Sequence, residues 1–243
     1  MPRYGTEKLH IDLKEKLKEL RIKIGRDKFL KFCKEQHLLV PRTKRCFITT
    51  DSKHFFYKSP NRIKDLLPTQ SEQVFVSDIT YIKLDEGYAY LALVTDLYSK
   101  KIMGYKLDDN MKVGMVKEAL KMAMKNRIYK RETTIHHSDR GLQYCCPDYS
   151  EFAEKNGFIL STTEKYDPYE NAVAERMNGI LKYEFGLKRI IPSLEVAVKM
   201  VDEAVYLYNN RRLHRSLQMD TPNQAHKKQK HKYATYRKEK TAA

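Results

Sequence analysis

At Gln73 the chain changes from helical to β patterning, and the next ninety residues leave few folds open. Val74-Phe75-Val76-Ser77-Asp78-Ile79-Thr80-Tyr81-Ile82 is β-branched and aromatic, and Asp85-Glu86-Gly87 supplies a hairpin turn. Residues 88–97 and 101–107 read as two further strands, with only Ser99-Lys100 as a break. Connections this short join antiparallel neighbours. Helical spacing returns over residues 113–126 (Met115, Val116, Leu120, Met124), followed by a short strand at 133–137, a helix at 147–156 and a strand at 158–162. Residues 170–184 form a helix through Val173, Met177, Ile180 and Leu181, with Pro168 at its entrance, and residues 194–208 give a last amphipathic helix. The order βββαβαβα predicts a mixed sheet with helices on its faces, an α/β domain.

Charge divides the chain differently. Residues 1–50 carry 14 Lys and Arg against 6 Asp and Glu, and residues 226–243 carry 7 against 1, whereas residues 74–162 carry 13 against 12. The net charge of +16 therefore lies in the flanks, which points to a polyanionic partner, DNA, held from the ends. Residues 1–40 read as two short basic helices around Gly25-Arg26-Asp27, a helix-turn-helix-like DNA-binding module. Pro41, Pro60 and Pro68 mark residues 41–72 as a linker carrying a basic, aromatic patch of His54, Phe55, Phe56, Tyr57 and Lys58. Residues 73–226 are the core with its C-terminal helix, and 227–243 are expected to be a disordered basic tail. There is no apolar run of membrane-spanning length and no secretory signal pattern, so a cytoplasmic location is expected, at the nucleoid when DNA is bound. The four cysteines fit a reducing compartment. Cys33, His37, Cys46 and His54 match none of the usual zinc-finger spacings, and His136-His137 ahead of Cys145-Cys146 reads as packing.

Three acids stand out. Asp78 lies in mid-strand among apolar residues, where a carboxylate needs a partner. Asp139 follows the fourth strand in His136-His137-Ser138-Asp139-Arg140-Gly141, and α/β sheets place their sites at the carboxyl ends of strands. Glu175 shares one stripe of its helix with Asn178 and Lys182, amid the small residues Ala172, Ala174 and Gly179, which would admit close packing. If the first and fourth strands are neighbours, the two aspartates project from one end and the helix adds Glu175. Three converging carboxylates call for a divalent cation, and oxygen-only ligands favour Mg²⁺ or Mn²⁺. Two such ions about 3.5–4 Å apart would serve in-line phosphoryl transfer. Asp96, another strand acid, reads as a cap for the Ser99-Lys100 turn.

Ser77-Asp78-Ile79-Thr80-Tyr81, His137-Ser138-Asp139-Arg140-Gly141 with Gln143-Tyr144, and Asn171-Ala172-Val173-Ala174-Glu175 with Leu181-Lys182-Tyr183-Glu184 resemble the three signature blocks of the integrase catalytic core in bacterial insertion-sequence transposases. Asp139 and Glu175 are separated by 35 residues, the spacing of that family. Lys182, and Tyr208-Asn209-Asn210-Arg211-Arg212-Leu213-His214 with Thr221-Pro222, also match; Phe75 stands where the family commonly has Trp.

The resemblance implies a ribonuclease-H-like five-stranded fold. It also implies polynucleotidyl transfer in two steps: metal-activated water frees a 3′-hydroxyl at an element end, and that hydroxyl attacks another phosphodiester. In the subgroup resembled, a circular intermediate precedes insertion, and the active enzyme often carries an upstream helix-turn-helix and leucine-zipper module fused by frameshifting. This chain accordingly reads as the catalytic half, fused to or assisted by such a module and working as a homo-oligomer on two DNA ends. On that reading Asp78, Asp139 and Glu175 are the catalytic metal ligands. Lys182 and Asn178 contact DNA near the scissile bond, Arg140 and His137 position it, and Arg211, Arg212, His214 and Arg215 are candidates for backbone contacts. Two other readings use less of the pattern: a ribonuclease-H-type nuclease acting by hydrolysis alone, and a non-catalytic DNA-binding transposase remnant.

Overall fold

The structure, a computed structural model, describes residues 5–39, 54–129, 133–164 and 171–229. Pro168, Cys46 and the tail from residue 230 onward lie outside the described residues. The N-terminal module is helical, α1 (Thr6–Asp12), α2 (Lys14–Glu19) and α3 (Arg26–Glu35), with the first stretch broken at Leu13. Its core is small, only Phe29 and Cys33 being buried in α3, and His10 holds α1 to the chain before α3 through the Ile24 carbonyl at 2.9 Å.

The core begins with β1 (Val74–Lys83), β2 (Tyr88–Asp96) and β3 (Ile102–Asp108), antiparallel as their short turns require. Then come α4 (Val113–Lys125), β4 (Thr134–Ser138), α5 (Leu142–Cys145), α6 (Pro147–Lys155), β5 (Phe158–Thr162), α7 (Ala172–Glu184), α8 (Leu194–Asn210) and α9 (Pro222–Lys228). The sheet order is β3-β2-β1-β4-β5, with β4 parallel to both β1 and β5. The first and fourth strands are therefore neighbours, and the mixed sheet has the predicted element order. Alternate residues of each strand face opposite layers. Leu91, Leu93 and Ile82 pack under α7 and α8 with Met177, Leu181 and Val201, while Phe75, Ala92 and Val94 pack with Met115 and Leu120 of α4 and Tyr149 of α6. Gly104 lets α4 lie directly on β3: a Cβ there would overlap the Ala119 carbonyl oxygen and sit 2.5 Å from the Ala123 nitrogen.

Residues 54–72, marked as linker by their prolines, are fastened to the core. The Thr162 hydroxyl donates to the Ser59 carbonyl, the Arg62 amide donates to Ser161 Oγ, and Ser71 and Glu72 are fully buried. Glu72 accepts from the Ile128 and Tyr129 amides and meets His226 Nε2 of α9 at 3.1 Å. Its own amide donates to Asp96 Oδ2, and Asp96 Oδ1 accepts from the amide and hydroxyl of Ser99, which caps the Ser99-Lys100 turn as expected. His226 Nδ1 closes the network on the Ser99 hydroxyl at 2.9 Å. The last helix is thus locked onto the β2–β3 turn. Among the described residues no helix is long and apolar enough to cross a membrane.

Candidate active site

Pairing between β1 and β4 ends at Ser77 opposite Ser138, so Asp78 and Asp139 are the next residues on two adjacent chains: Asp78 stays in β1, paired with Leu93 of β2, while Asp139 begins the loop after β4. Asp139 is held by its own loop. Its Oδ1 accepts the Gly141 amide at 3.0 Å, and a Cβ on Gly141 would lie 2.9 Å from that oxygen, so a side chain there would press on the carboxylate. Helix α7 is tied across this end by two asparagines. Asn171 Nδ2 donates to the Ser77 carbonyl at 3.1 Å, and Asn178 Nδ2 donates to Asp78 Oδ2 at 2.7 Å. That places Glu175, exposed in the first turn of α7, over the same end, where the helix dipole favours an acid.

The other two acids both bear on Asp78. Burial, then the Asp139 carboxylate, raise the Asp78 carboxyl to about 8; Glu175 adds to the rise, and the hydrogen bond from Asn178 opposes it. As they stand, no three His, Cys, Asp or Glu side chains among the described residues close into a metal cage. The donor set is nevertheless all oxygen, the ligand chemistry that suits a hard divalent cation.

The other expected site residues divide. Lys182 lies beside this end of β1, with its Nζ 4.8 Å from the centre of the Tyr81 ring. Asn178 is turned inward onto Asp78, so its part is to position that carboxylate. Arg140 donates to the Thr163 and Glu164 carbonyls and ties the Asp139 loop to the end of β5. His137 is fully buried and shares a hydrogen bond with Ser161 Oγ at 2.8 Å, so it is held between β4 and β5. His136 packs among Tyr144, Tyr149 and Phe158, and burial lowers it to about 3, so it is a neutral core group.

Arg212 and His214 are buried on partners within the protein. The Arg212 guanidinium grips both oxygens of Glu184 at 2.6 Å, and it is 4% exposed. His214 is buried against the Tyr208 ring, and desolvation followed by the Arg212 charge pushes it down to about 2. The matching motif is mainly a brace: Asn209 pairs with both backbone groups of Ile102, and Tyr208 donates to the Lys100 carbonyl. Arg211 and Arg215 remain exposed, and Arg215 lies 3.9 Å from the Glu7 carboxylate of α1. Of the small residues on α7, Ala174 is the one packed closely, against Val74 and Val76, whereas a Cβ on Gly179 would meet nothing within 4 Å.

Comparison with known proteins gives a consistent set of likenesses. Two family profiles, each described as an integrase core domain, match residues 68–168 and 156–222. An insertion element IS600 31 kDa protein of Shigella sonnei is 33% identical over 209 residues, covering 86% of this chain and 75% of the relative. The transposase for insertion sequence element IS629 of Shigella sonnei is 30% identical, covering 68% of this chain and 55% of the relative. The chain thus spans about half the length of that transposase. Among solved structures, the integrase catalytic core domain of HTLV-2, determined with magnesium, superposes with a TM-score of 0.50 at 17% identity over 65% of this chain and 97% of that one. A simian T-cell lymphotropic virus intasome gives a TM-score of 0.56 at 17% identity over 73% of this chain and 60% of that one. These two likenesses concern the fold, which is ribonuclease-H-like.

Proposed function

Because the chain belongs to the integrase-core family of bacterial insertion-sequence transposases, we propose that it catalyses metal-dependent 3′-end cleavage and strand transfer of an insertion sequence through Asp78, Asp139 and Glu175. The observation that carries this reading is the coupling of three carboxylates from three separate elements, with Asp78 raised by both of the others. Asp78, Asp139 and Glu175 would hold Mg²⁺ or Mn²⁺, as a pair of ions. Bound there, the cations supply activation of the attacking oxygen and stabilisation of the leaving one. The protein's own contribution is positional. Gly141 and Asn178 fix the two aspartates, Asn171 fixes α7, and Lys182 offers a cation for a phosphate about two helical turns beyond Glu175. The substrates are then DNA, at the element ends and at the target, and joining two ends requires more than one protomer. The basic helices α1–α3 serve as a further DNA contact, and an upstream module would supply end recognition.

The test is a strand-joining assay with pre-nicked element-end DNA and Mg²⁺ or Mn²⁺, comparing the wild type with Glu175→Gln. Joined product that disappears in the variant supports the transposase. Cleavage without joining would instead identify a hydrolytic nuclease, and DNA binding without metal-dependent chemistry a non-catalytic regulator.

A further inference from the structure

Residues 54–58 run beside the carboxylates, and the catalytic reading makes no use of them. His54 Nε2 meets the carbonyl of Arg140, the residue after Asp139, at 2.8 Å. Lys58 Nζ turns back onto the His54 and Phe56 carbonyls, at 2.7 and 3.3 Å. Phe56 packs onto the core layer formed with α4 and α6, and its ring lies 5.5 Å from that of His54. The strap is therefore pinned at its first, third and fifth residues. The second and fourth are open to solvent: Phe55 is 91% exposed, with its ring centroid 4.7 Å from that of Phe56, and Tyr57 is 79% exposed. Two large rings held in water on a fastened strap are an expensive arrangement for a chain with an apolar core to fill.

The surroundings say what the rings are for. Lys58 Nζ holds the His54 carbonyl, His54 Nε2 meets the Arg140 carbonyl, and Arg140 follows Asp139 directly, so the strap's cation is linked through His54 to the loop that carries the catalytic acid. Aromatic faces beside cations and next to a phosphoryl-transfer site match nucleobases, since every base offers a π-face and each phosphate a negative charge. We propose that Phe55 and Tyr57 form a stacking platform for unpaired bases of the DNA strand held at Asp139, a contact that tolerates sequence and keeps the strand in line beside the acids. This rests on the transposase reading in that it takes DNA to be the substrate.

The test uses the full chain and an element-end duplex with a short single-stranded overhang, carrying 2-aminopurine at successive positions near the cleaved phosphate. The platform predicts quenching at one or two of these positions in the wild type. Phe55→Ala and Tyr57→Ala should each relieve it and weaken binding about tenfold, whereas Phe55→Tyr and Tyr57→Phe retain it. Because the rings neutralise no phosphate, the salt dependence of binding should keep its slope. Both rings are exposed, so the double alanine variant should melt with the wild type, which separates the effect from misfolding.

Three results would overturn the platform: no quenching at any position in the wild type, quenching unchanged in the double variant, or a double variant whose only defect is a change in sedimenting mass, which would mark a protein interface. Joining activity reports on the catalytic reading separately. A wild type that joins DNA with the rings irrelevant sinks the platform alone, and one that quenches without joining sinks the transposase reading alone.

Discussion

The sheet carries two clusters of acids, and they are solved in opposite ways. Glu72 and Asp96 are fully buried where α9 meets the β2–β3 turn; Asp78 and Asp139 stand where β1 and β4 part. Burial by itself would raise Glu72, yet hydrogen bonds from His226 and from the Ile128 and Tyr129 amides outweigh it and hold the group below the ordinary carboxylate value. Asp96 is raised by its burial, but it accepts from Ser99 twice and from the Glu72 amide. At the other cluster Asn178 is the side-chain donor to Asp78, and its other neighbours of note are two more carboxylates. At the first cluster the hydrogen-bond donors outweigh burial for Glu72; at the second, burial and two neighbouring acids outweigh the Asn178 donor to Asp78.

If that contrast is right, the two clusters should fail differently. The largest expected effect is on chemistry: Asp139→Asn and Glu175→Gln should lower strand joining by at least about 10²–10³-fold, with the urea midpoint unmoved. A variant that loses activity by unfolding would erase the distinction. Next, Glu72→Gln should cost about 3–5 kcal/mol of stability by leaving buried partners unpaired. Urea unfolding at pH 7 reads that cost, and joining per folded molecule should stay at the wild-type level. Asn178→Ala should fall between the clusters. It removes the group that orients Asp78, so joining drops about 10–100-fold while folding is little changed.

The smallest effect sharpens the contrast through pH. Asp78 has its folded value raised from 3.8 to about 8, so in EDTA the folded state binds a proton that the unfolded state releases, and stability falls as pH rises through that window. Asp78→Asn should therefore melt about 2–4 °C above the wild type at pH 8, with no difference at pH 4. Glu72 has the opposite sign. Its folded value is lowered, so its contribution is present above the ordinary carboxylate range and lost as pH falls below it.

How much could be read in advance depends on range along the chain. The order of the elements and the turn acid Asp96 leave periodic or local marks, and the acids at 78, 139 and 175 sit in recognisable blocks, whereas the pairing of β1 with β4 could be stated only as a condition. Glu72 and His226 leave none. They are 154 residues apart, one among prolines and one in a basic stretch, and only tertiary structure brings them together. Arg212 and His214 misled for a related reason: a cationic run after a helix looks solvated until Glu184, on another helix, claims the guanidinium. Gly179 fits the pattern of a close-packing residue yet faces open space, while the glycine that carries backbone contact is Gly104.

The β1–β4 pairing also sets a schedule. Strand β1 meets β2 across a tight turn, but it reaches β4 only after β2, β3 and α4 have been made, and Glu175 follows later still. Distant parallel pairings are slow to close, and domains form from the N-terminus during synthesis. At about 5–20 residues per second, the ribosome needs a few seconds to pass from Asp139 to Glu175. Throughout that interval, and in any fragment ending before α7, the nascent chain holds at most two of the three acids, so the proposed site can close only after α7 has been made.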